Sequence, residues 1–239
     1  MAKTKALKRP VQQNAHRGYR RQAPTDRRRL VFIAAAVAVV AVVGLIIAGG
    51  ALRDSNKVSH EAPAEGFVLG SPDAPVTIMA WEDFQCPICK AANASVLKQV
   101  EQDYVTAGKA KILFRQFPFL GQESIWAAEA SQCAADQGKF WDYHDALFNA
   151  QGAENSGALS KANLKRIAGD TGLDLTAFNT CFDSGAHQAS VQAEKQEGAQ
   201  LGISGTPTIF VNGTLVKDWR DYASLKSMID AALASATKS

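Results

Sequence analysis

The stretch WEDFQCPICK, residues 81–90, contains two of the chain's four cysteines, three positions apart. The residues leading to Cys86, VTIMAWEDF, are apolar and β-prone, a composition that favours a buried strand. The residues following Cys89, KAANASVLKQVEQDYV, carry apolar side chains at helical spacing. Cys86 and Cys89 therefore lie where a strand passes into a helix, and this junction decides the fold.

A Cys-x-x-Cys pair can be a redox dithiol, half of a zinc site or a structural accident. Zinc takes four ligands, usually with a second closely spaced Cys or His pair, but the four histidines and the other two cysteines are scattered along the chain. The same argument excludes an iron–sulfur cluster. A purely structural disulfide across so short a loop would restrain the unfolded chain little. We therefore predict a redox-active disulfide between Cys86 and Cys89, with no metal and no other cofactor.

The start of a helix favours a thiolate over a thiol. Its first turn offers unpaired N–H groups and the positive end of the helix dipole. We expect Cys86, at the helix start, to have a lowered pKa and to act as the nucleophile. Cys89, one turn further, is more shielded and is predicted to be the resolving thiol. Pro87 fits the first helical turn, where its missing N–H costs nothing.

Two acidic residues, Glu82 and Asp83, lie on the strand that leads into the dithiol. An acidic group at this position could accept or relay the proton of Cys89 during resolution. The alternative is a solvated loop carboxylate, and the residues alone do not decide between the two roles.

The N-terminal region has the pattern of a membrane anchor. The first 29 residues carry ten Lys and Arg against one acidic residue, and residues 30–52 carry no charge. At 1.5 Å rise per residue, this run is long enough to cross a hydrocarbon core of about 30 Å. A cleaved signal peptide is the alternative, although its apolar region is typically about 7–15 residues. Because basic residues remain cytoplasmic, Arg27 to Arg29 predict a single-pass protein of the cell membrane whose catalytic domain is extracytoplasmic, and the basic tail implies no nucleic-acid partner.

Beyond the anchor, the pattern follows the order β-α-β, a helical block, then β-β-α. Strands are predicted at 75–84 and 111–117, and two short strands flank Asn212-Gly213, a strong hairpin signal. One sheet between helices, with an all-helical insertion, satisfies the layer rules of α/β folds. The predicted domains are a basic tail at 1–29, an anchor at 30–52, a linker at 53–65, an α/β domain at 66–122 and 200–239, and an inserted helical domain at 123–199.

Four motifs occur in order between residues 66 and 235: GSPDAPVTI, EDFQCPIC, QGKFWDYHDALF and GISGTPTIFVNG. Together they resemble the DsbA-like thiol:disulfide oxidoreductases, in particular the membrane-anchored, Gram-positive type. The resemblance implies a thioredoxin fold with an inserted helical domain. It also implies that Pro207 is cis and faces the dithiol, and that Thr206 contacts the active-site sulfur and the substrate backbone. Of the two acidic residues, Asp83 is the better match to the family pattern.

The dipeptide between the cysteines departs from the family's best-known oxidant, which has CPHC where this chain has CPIC. The side chain of Ile88 can neither form a hydrogen bond nor carry a charge. One source of thiolate stabilisation is therefore missing, and the dipeptide leaves the oxidising strength open.

The other two cysteines, Cys133 and Cys181, both fall in the helical block. In an oxidising compartment they are predicted to form a structural disulfide, worth roughly 4 kcal/mol by loop-closure entropy. The alternative is a pair of buried free thiols. In the same block, the run KFWDYHDALF at 139–148 is predicted to be helix core, with His144 in a structural role.

The predicted function is an extracytoplasmic thiol:disulfide oxidoreductase that introduces disulfides into reduced or unfolded exported proteins. A membrane partner, quinone-linked by family resemblance, would re-oxidise the dithiol. A disulfide reductase or isomerase is the first alternative, because direction depends on the reduction potential. A thioredoxin-like binding or copper-handling module is the second, although such a site usually adds a Met or His near the pair and Met79 is the only nearby candidate.

Overall fold

The structure, a computed structural model, describes residue 60 and residues 62–237 of the 239-residue chain. The predicted basic tail at 1–29 and the predicted anchor at 30–52 lie outside the described residues. Among the helices of the described part, none is long and apolar enough to cross a membrane.

The described residues form one six-stranded sheet with the order β1-β2-β4-β3-β5-β6. Its strands are β1 (Ala64–Glu65), β2 (Val68–Leu69), β3 (Val76–Glu82), β4 (Ala110–Gln116), β5 (Thr208–Val211) and β6 (Thr214–Leu215). The central strand β3 runs parallel to β4 and antiparallel to β5, so that Ile78 pairs with both Ile112 and Val211. This arrangement buries β3 and brings its C-terminal end, where the dithiol begins, to the middle of the sheet.

A long helical segment follows β3 and packs on the sheet. It consists of α1 (Pro87–Ala92), a π-helical turn at Asn93–Leu97, α2 (Lys98–Val100) and a second π-helical turn at Glu101–Val105. The C-terminal helix, α8 (Tyr222–Ala236), contributes Leu225 and Ile229 to the same core as Val100. The hydroxyl of Tyr104 donates a hydrogen bond to Asp230 at 2.7 Å, which ties this segment to α8.

Five helices lie between β4 and β5. They are α3 (Gln122–Ala135), α4 (Phe140–Ala150), α5 (Lys161–Asp170), α6 (Leu175–Ser184) and α7 (Gln188–Gln200). Local signals explain their ends: Asp174 caps α6 by accepting two backbone N–H groups, and Gly185, with φ 65°, ends it in the left-handed conformation. The all-helical insertion predicted between the second and third long strands is therefore present.

The strong local patterns identified the main strands. The strand predicted at 75–84 is β3, and the one predicted at 111–117 is β4. The hairpin predicted at Asn212-Gly213 joins β5 to β6, with φ values of 44° and 81° at the two turn residues. Positive φ at both positions is what a type I′ turn requires.

The predicted linker at 53–65 extends too far along the chain. Ala62 is buried, and β1 pairs with β2, which in turn pairs with β4. His60 lies 3.0 Å from a carboxylate oxygen of Glu101 and 3.0 Å from one of Asp145. The folded part therefore includes residues before Gly66. Strands of two residues are too short to show an alternating pattern, which is why the sequence did not reveal β1 and β2.

The aromatic run of α4 forms core, as predicted. Its members Phe140, Trp141, Tyr143, Leu147 and Phe148 are all buried. His144 is buried among them and its Nδ1 lies 2.9 Å from Asp145 Oδ1, consistent with a structural role. The ring of His144 also contacts the rings of Phe84 and Phe114, which belong to the loop after β3 and to β4, respectively. One apolar core therefore joins the helical block to the residues just before the dithiol.

Candidate active site

The dithiol lies at the junction of β3 and α1. Cys86 is the N-cap of α1, with extended backbone angles, and Pro87 occupies the first helical turn. The sulfur of Cys86 accepts a hydrogen bond from the backbone N–H of Cys89 at 3.4 Å. Both cysteines are free thiols in this structure. The predicted strand-to-helix placement of the pair is therefore confirmed.

The surroundings of Cys86 favour its thiolate. The hydrogen bond from the Cys89 thiol lowers the pKa of Cys86 to about 6, together with donors from Thr206 and from the backbone of Cys89 and Ile88, and against the opposing effect of burial. Much of the thiol population at this sulfur is therefore ionised at neutral pH. An ionised sulfur is the form that attacks disulfides and the form that leaves most readily from a mixed disulfide.

Cys89 has the opposite character. Its side chain is fully buried. Burial raises the pKa of Cys89 far above its ordinary value, and the hydrogen bond that its thiol donates to Cys86 and the charge of Glu82 act in the same direction. The pair therefore consists of one reactive sulfur and one protonated, protected sulfur, which is the division of roles that the helix position predicted.

Glu82 is the buried carboxyl group electrostatically coupled to Cys89. Burial raises the pKa of Glu82 to about 8, opposed by a hydrogen bond from Asn93 and supported by the charge of Cys86. The Asn93 amide donates to Glu82 Oε2 at 2.5 Å and to the carbonyl of Cys89 at 3.0 Å. A carboxyl group that titrates near neutral pH can exchange a proton with Cys89 in either direction.

Asp83 has a different task from the one that the family resemblance favoured. Its Oδ1 accepts the backbone N–H of Gln85 at 2.8 Å. Its Oδ2 accepts the backbone N–H groups of Phe119 and Leu120 at 2.9 and 3.1 Å. These bonds occupy both oxygens and hold the loop after β4 against the dithiol loop. Asp83 thus supports the site structurally, and Glu82 is the neighbouring carboxyl group whose pKa is raised by burial.

The Thr206–Pro207 peptide bond is cis, as the resemblance implied. It immediately precedes β5, the antiparallel neighbour of β3. The carbonyl of Thr206 lies 3.4 Å from the sulfur of Cys86. Pairing of β5 with β3 therefore brings together residues 120 positions apart and places Thr206 and Pro207 opposite the reactive sulfur.

Gln151, the C-cap that follows α4, is a site residue that no sequence pattern predicted. Its side-chain amide donates to the carbonyl of Phe84 at 2.7 Å and to that of Cys86 at 3.1 Å. A neighbouring contact has the same effect, because Asn155 N–H donates to the Gln85 side chain at 2.6 Å. The helical block thus holds the dithiol loop directly. No local pattern marks such residues, since their partners lie more than 60 positions away.

Two large apolar side chains on the loops at the dithiol are exposed. Ile88, between the two cysteines, is 42% exposed, and Phe119, on the loop held by Asp83, is 40% exposed. Apolar side chains of this size that face solvent beside a reactive sulfur can contact the apolar segments of an unfolded chain.

The second cysteine pair is joined. Cys133 of α3 and Cys181 of α6 form a disulfide with an S–S distance of 2.01 Å, across a sequence separation of 48. The predicted structural disulfide is therefore present, and it links two helices of the insertion without contact to the dithiol sulfurs in any described interaction.

Comparison with known proteins supports the chemistry of the site. A thioredoxin family model matches residues 63–231. A probable disulfide bond formation protein D of Bacillus anthracis is 29% identical over 203 residues, which cover 82% of this chain and 92% of that protein. The crystal structure of oxidised BdbD from Bacillus subtilis has a TM-score of 0.67 at 29% identity, over 71% of this chain and 93% of that one.

A second solved structure shows the shared fold alone. It is α-DsbA1 of Wolbachia pipientis, with a TM-score of 0.64 at 24% identity, over 75% of this chain and 98% of that one. The family match covers most of the chain, and the Cys-x-x-Cys at a helix start opposite a cis-proline agrees with it. The chain therefore belongs to the thioredoxin family and is a DsbA-like thiol:disulfide oxidoreductase.

Proposed function

We propose that the chain introduces disulfides into reduced, exported proteins through the Cys86–Cys89 pair. The observation that carries the proposal is the contrast between the two sulfurs, one with a pKa lowered to about 6 and one held protonated. A dithiol whose outer thiolate is stabilised is a strong oxidant, because its reduced form is favoured. The relatives named as disulfide bond formation proteins support this direction.

The proposed reaction begins with the Cys86–Cys89 disulfide. A substrate thiolate attacks the sulfur of Cys86, so a substrate–Cys86 bond forms and the Cys86–Cys89 bond breaks. Cys89 leaves with the electron pair and takes a proton from Glu82, which is largely protonated below about pH 8. A second substrate thiolate then attacks the substrate sulfur and releases Cys86 as a thiolate. The substrate loses two electrons and the dithiol gains them.

The residues around Cys86 have distinct parts in this reaction. Thr206 and Pro207 hold the substrate chain next to the sulfur, and the exposed Ile88 and Phe119 contact its apolar side chains. Glu82 supplies the proton, and Asp83 and Gln151 fix the loop. Because substrate contacts are made mainly by backbone and apolar surface, the proposal is that the enzyme accepts many unfolded chains.

The proposed location is the outer face of the cell membrane, with one N-terminal anchor. The arginines at 27–29 before the uncharged run 30–52 support this orientation. The reduced dithiol must lose its electrons to an oxidant there, and we propose a membrane partner linked to quinone. A reporter fused after residue 239 should be active outside the cytoplasm, and activity of a reporter that works only in the cytoplasm would overturn this topology.

The reduction potential distinguishes the proposed oxidase from a reductase or isomerase. We expect equilibration of the Cys86–Cys89 pair with glutathione to give a potential less negative than about −200 mV, toward the roughly −120 mV of DsbA. A value near the roughly −270 mV of thioredoxin would instead favour a reductase. Because Cys133 and Cys181 are also redox groups, the measurement follows only the peptide that contains residues 86 and 89, by mass spectrometry after alkylation.

A further inference from the structure

Four potential metal ligands meet at one corner of the helical block. Cys133 belongs to α3, Asp136 is the C-cap that follows α3, and Cys181 belongs to α6. His187 is the residue before α7. The two sulfurs and a ring nitrogen of His187 all lie within 4.8 Å of one another. Two helices of the insertion and the residue before a third thus contribute a disulfide, an imidazole and a carboxylate to one cluster.

Asp136 completes the cluster. Its Oδ2 lies 2.7 Å from Nε2 of His187 and 3.6 Å from the sulfur of Cys181. In a tetrahedral zinc site the metal–ligand distances are about 2.0–2.3 Å, so neighbouring ligand atoms are separated by about 3.3–3.8 Å. The distance from Cys181 to Asp136 already falls in this range. The two sulfurs, 2.01 Å apart in the disulfide, and the pair formed by His187 and Asp136, 2.7 Å apart, must each separate further before one ion can bind between them.

The ligand types agree with zinc more than with other ions. Two sulfurs and one imidazole suit Zn²⁺, and a carboxylate is an accepted fourth ligand. The backbone positions also agree, because the Cα atoms of Cys133 and Cys181 are 5.9 Å apart, near enough for both sulfurs to reach one ion. His187 and Cys181 are only partly buried, which leaves the ion a path from solvent.

The disulfide decides whether these sulfurs are available. In the disulfide each sulfur is bonded to the other, and neither is a thiolate. A dithiol or phosphine reductant supplies two electrons, the S–S bond breaks, and two protons complete the thiols. Binding of Zn²⁺ then displaces those protons, because only thiolates are ligands.

We propose that reduction of the Cys133–Cys181 disulfide creates a zinc site formed by Cys133, Cys181, His187 and Asp136. The same corner of the insertion is then held together in both redox states, by a covalent bond when oxidised and by a metal ion when reduced. The bound ion also protects the thiols. The Cys86–Cys89 disulfide of another copy can oxidise these thiols by taking up their two electrons. Because Zn²⁺ must first leave, the bound ion slows this oxidation.

The test uses Co²⁺ as a spectroscopic probe for Zn²⁺. The full chain carries Cys86→Ser and Cys89→Ser, which removes the other dithiol as a competing ligand pair. After reduction with a phosphine and removal of the reductant, we expect one Co²⁺ per chain with thiolate charge-transfer absorption, displaced by one Zn²⁺. The unreduced sample should show no such absorption.

Variants of the two non-sulfur ligands test the assignment. His187→Ala and Asp136→Ala should each weaken Co²⁺ binding by more than the roughly tenfold that loss of even an outer partner costs. Asp183→Ala is the matched control, because Asp183 is an exposed carboxylate two residues from Cys181 that pairs with Lys165 at 2.7 Å. The affinity of the reduced Asp183→Ala variant for Co²⁺ should be unchanged. Circular dichroism of each variant in the oxidised state checks that it folds.

Two results would overturn the proposal. One is a reduced, folded chain without thiolate charge-transfer absorption at stoichiometric Co²⁺. The other is equal Co²⁺ affinity in the His187→Ala, Asp136→Ala and Asp183→Ala variants, since the two cysteines would then bind the ion without the ligands that the fold places beside them.

Discussion

The two cysteine pairs of this chain contain the same groups in different surroundings. Cys86 and Cys89 share one turn of one helix, and their surroundings drive the two pKa values in opposite directions. Cys133 and Cys181 belong to separate helices, and their disulfide joins α3 to α6. The difference shows that reactivity comes from the helix start, the buried carboxyl group and the opposite strand, whereas stability comes from the length of chain that a disulfide closes.

The largest effect is expected at the reactive sulfur. Cys86→Ser should abolish oxidation of a reduced test protein, because Cys89 alone cannot form the disulfide that accepts the two electrons. Cys89→Ala should keep the reactive sulfur: its Cys86 thiolate should attack a disulfide of an oxidised test protein, release one thiol of that protein and leave a mixed disulfide that persists, because no Cys89 thiol remains to displace it. Loss of free thiols in the test protein and non-reducing gels measure both effects. Oxidation by the Cys86→Ser variant would contradict the assigned roles.

The next effect concerns proton exchange at Cys89. Glu82 has its pKa raised to about 8, so it can donate a proton below that pH and cannot above it. Glu82→Gln should slow attack by a reduced peptide about 100-fold at pH 7, the lower end of what a general acid contributes. After correction for ionisation of the peptide thiol, the rate of the unmodified protein should fall above pH 8, and this fall should be absent in Glu82→Gln.

Asp83→Asn is the control for this prediction. It changes the neighbouring carboxylate, which holds backbone N–H groups of Gln85, Phe119 and Leu120. We expect a loss of stability and an unchanged pH profile. If Asp83→Asn rather than Glu82→Gln removes the fall above pH 8, the proton-exchange role belongs to Asp83.

Glu82 also makes stability depend on pH. Its folded-state pKa is raised above the ordinary value, so the folded state is favoured at low pH and loses stability as pH rises through about 8. The unfolding midpoint in urea should therefore decline as pH rises from 5 in the reduced protein, and above about pH 6 the lowered pKa of Cys86 should offset part of this decline. In Glu82→Gln this part of the decline should be absent.

The second cysteine pair should affect stability and leave the chemistry intact. The variant with Cys133→Ala and Cys181→Ala should lose about 2–5 kcal/mol of unfolding free energy, the range for removal of a native disulfide. The alkylation rate of Cys86 should stay the same, since the pair makes no described contact with the dithiol. A large change in that rate would mean that the two regions are coupled.

The smallest effect is expected where the helical block holds the dithiol loop. Gln151→Ala leaves the carbonyls of Phe84 and Cys86 without their side-chain donor, which should cost about 1–3 kcal/mol of stability. Gln137→Ala is the matched control, because that glutamine bonds to the backbone of Asp174 at an exposed position. The loss of unfolding free energy in Gln137→Ala should be smaller than in Gln151→Ala. Equal losses would show that Gln151 adds nothing specific to the site.

The features predicted from sequence were those with a local signal. The strand-to-helix junction at Cys86, the turn at Asn212-Gly213 and the aromatic core of α4 each follow from spacing or composition within a few residues. The cis bond before Pro207 was predicted from the family resemblance. The residues SGTPT alone are compatible with many turns and would have supported that prediction only weakly. These features are sufficient to place the dithiol and its opposite strand.

The features that were missed depend on contacts between distant segments. The hydrogen bonds of Gln151 reach back 65 and 67 positions, and the choice between Glu82 and Asp83 depends on which carboxyl group faces Asn93 and which faces the loop at 119–120. Glu82 is the last residue of β3 and Asp83 is the first residue after it, so the two share a sequence neighbourhood while their hydrogen-bond partners differ. Burial and partners, which the fold alone provides, decide these roles.

The most direct test of the account is the alkylation rate of each sulfur of the dithiol as a function of pH. Each peptide is followed separately by mass spectrometry after a short pulse of reagent. We expect Cys86 to react with a midpoint near pH 6 and Cys89 to stay unreactive through pH 9. A lower midpoint or a faster reaction at Cys89 would contradict the assignment of Cys86 as the nucleophile and, with it, the proposed direction of attack.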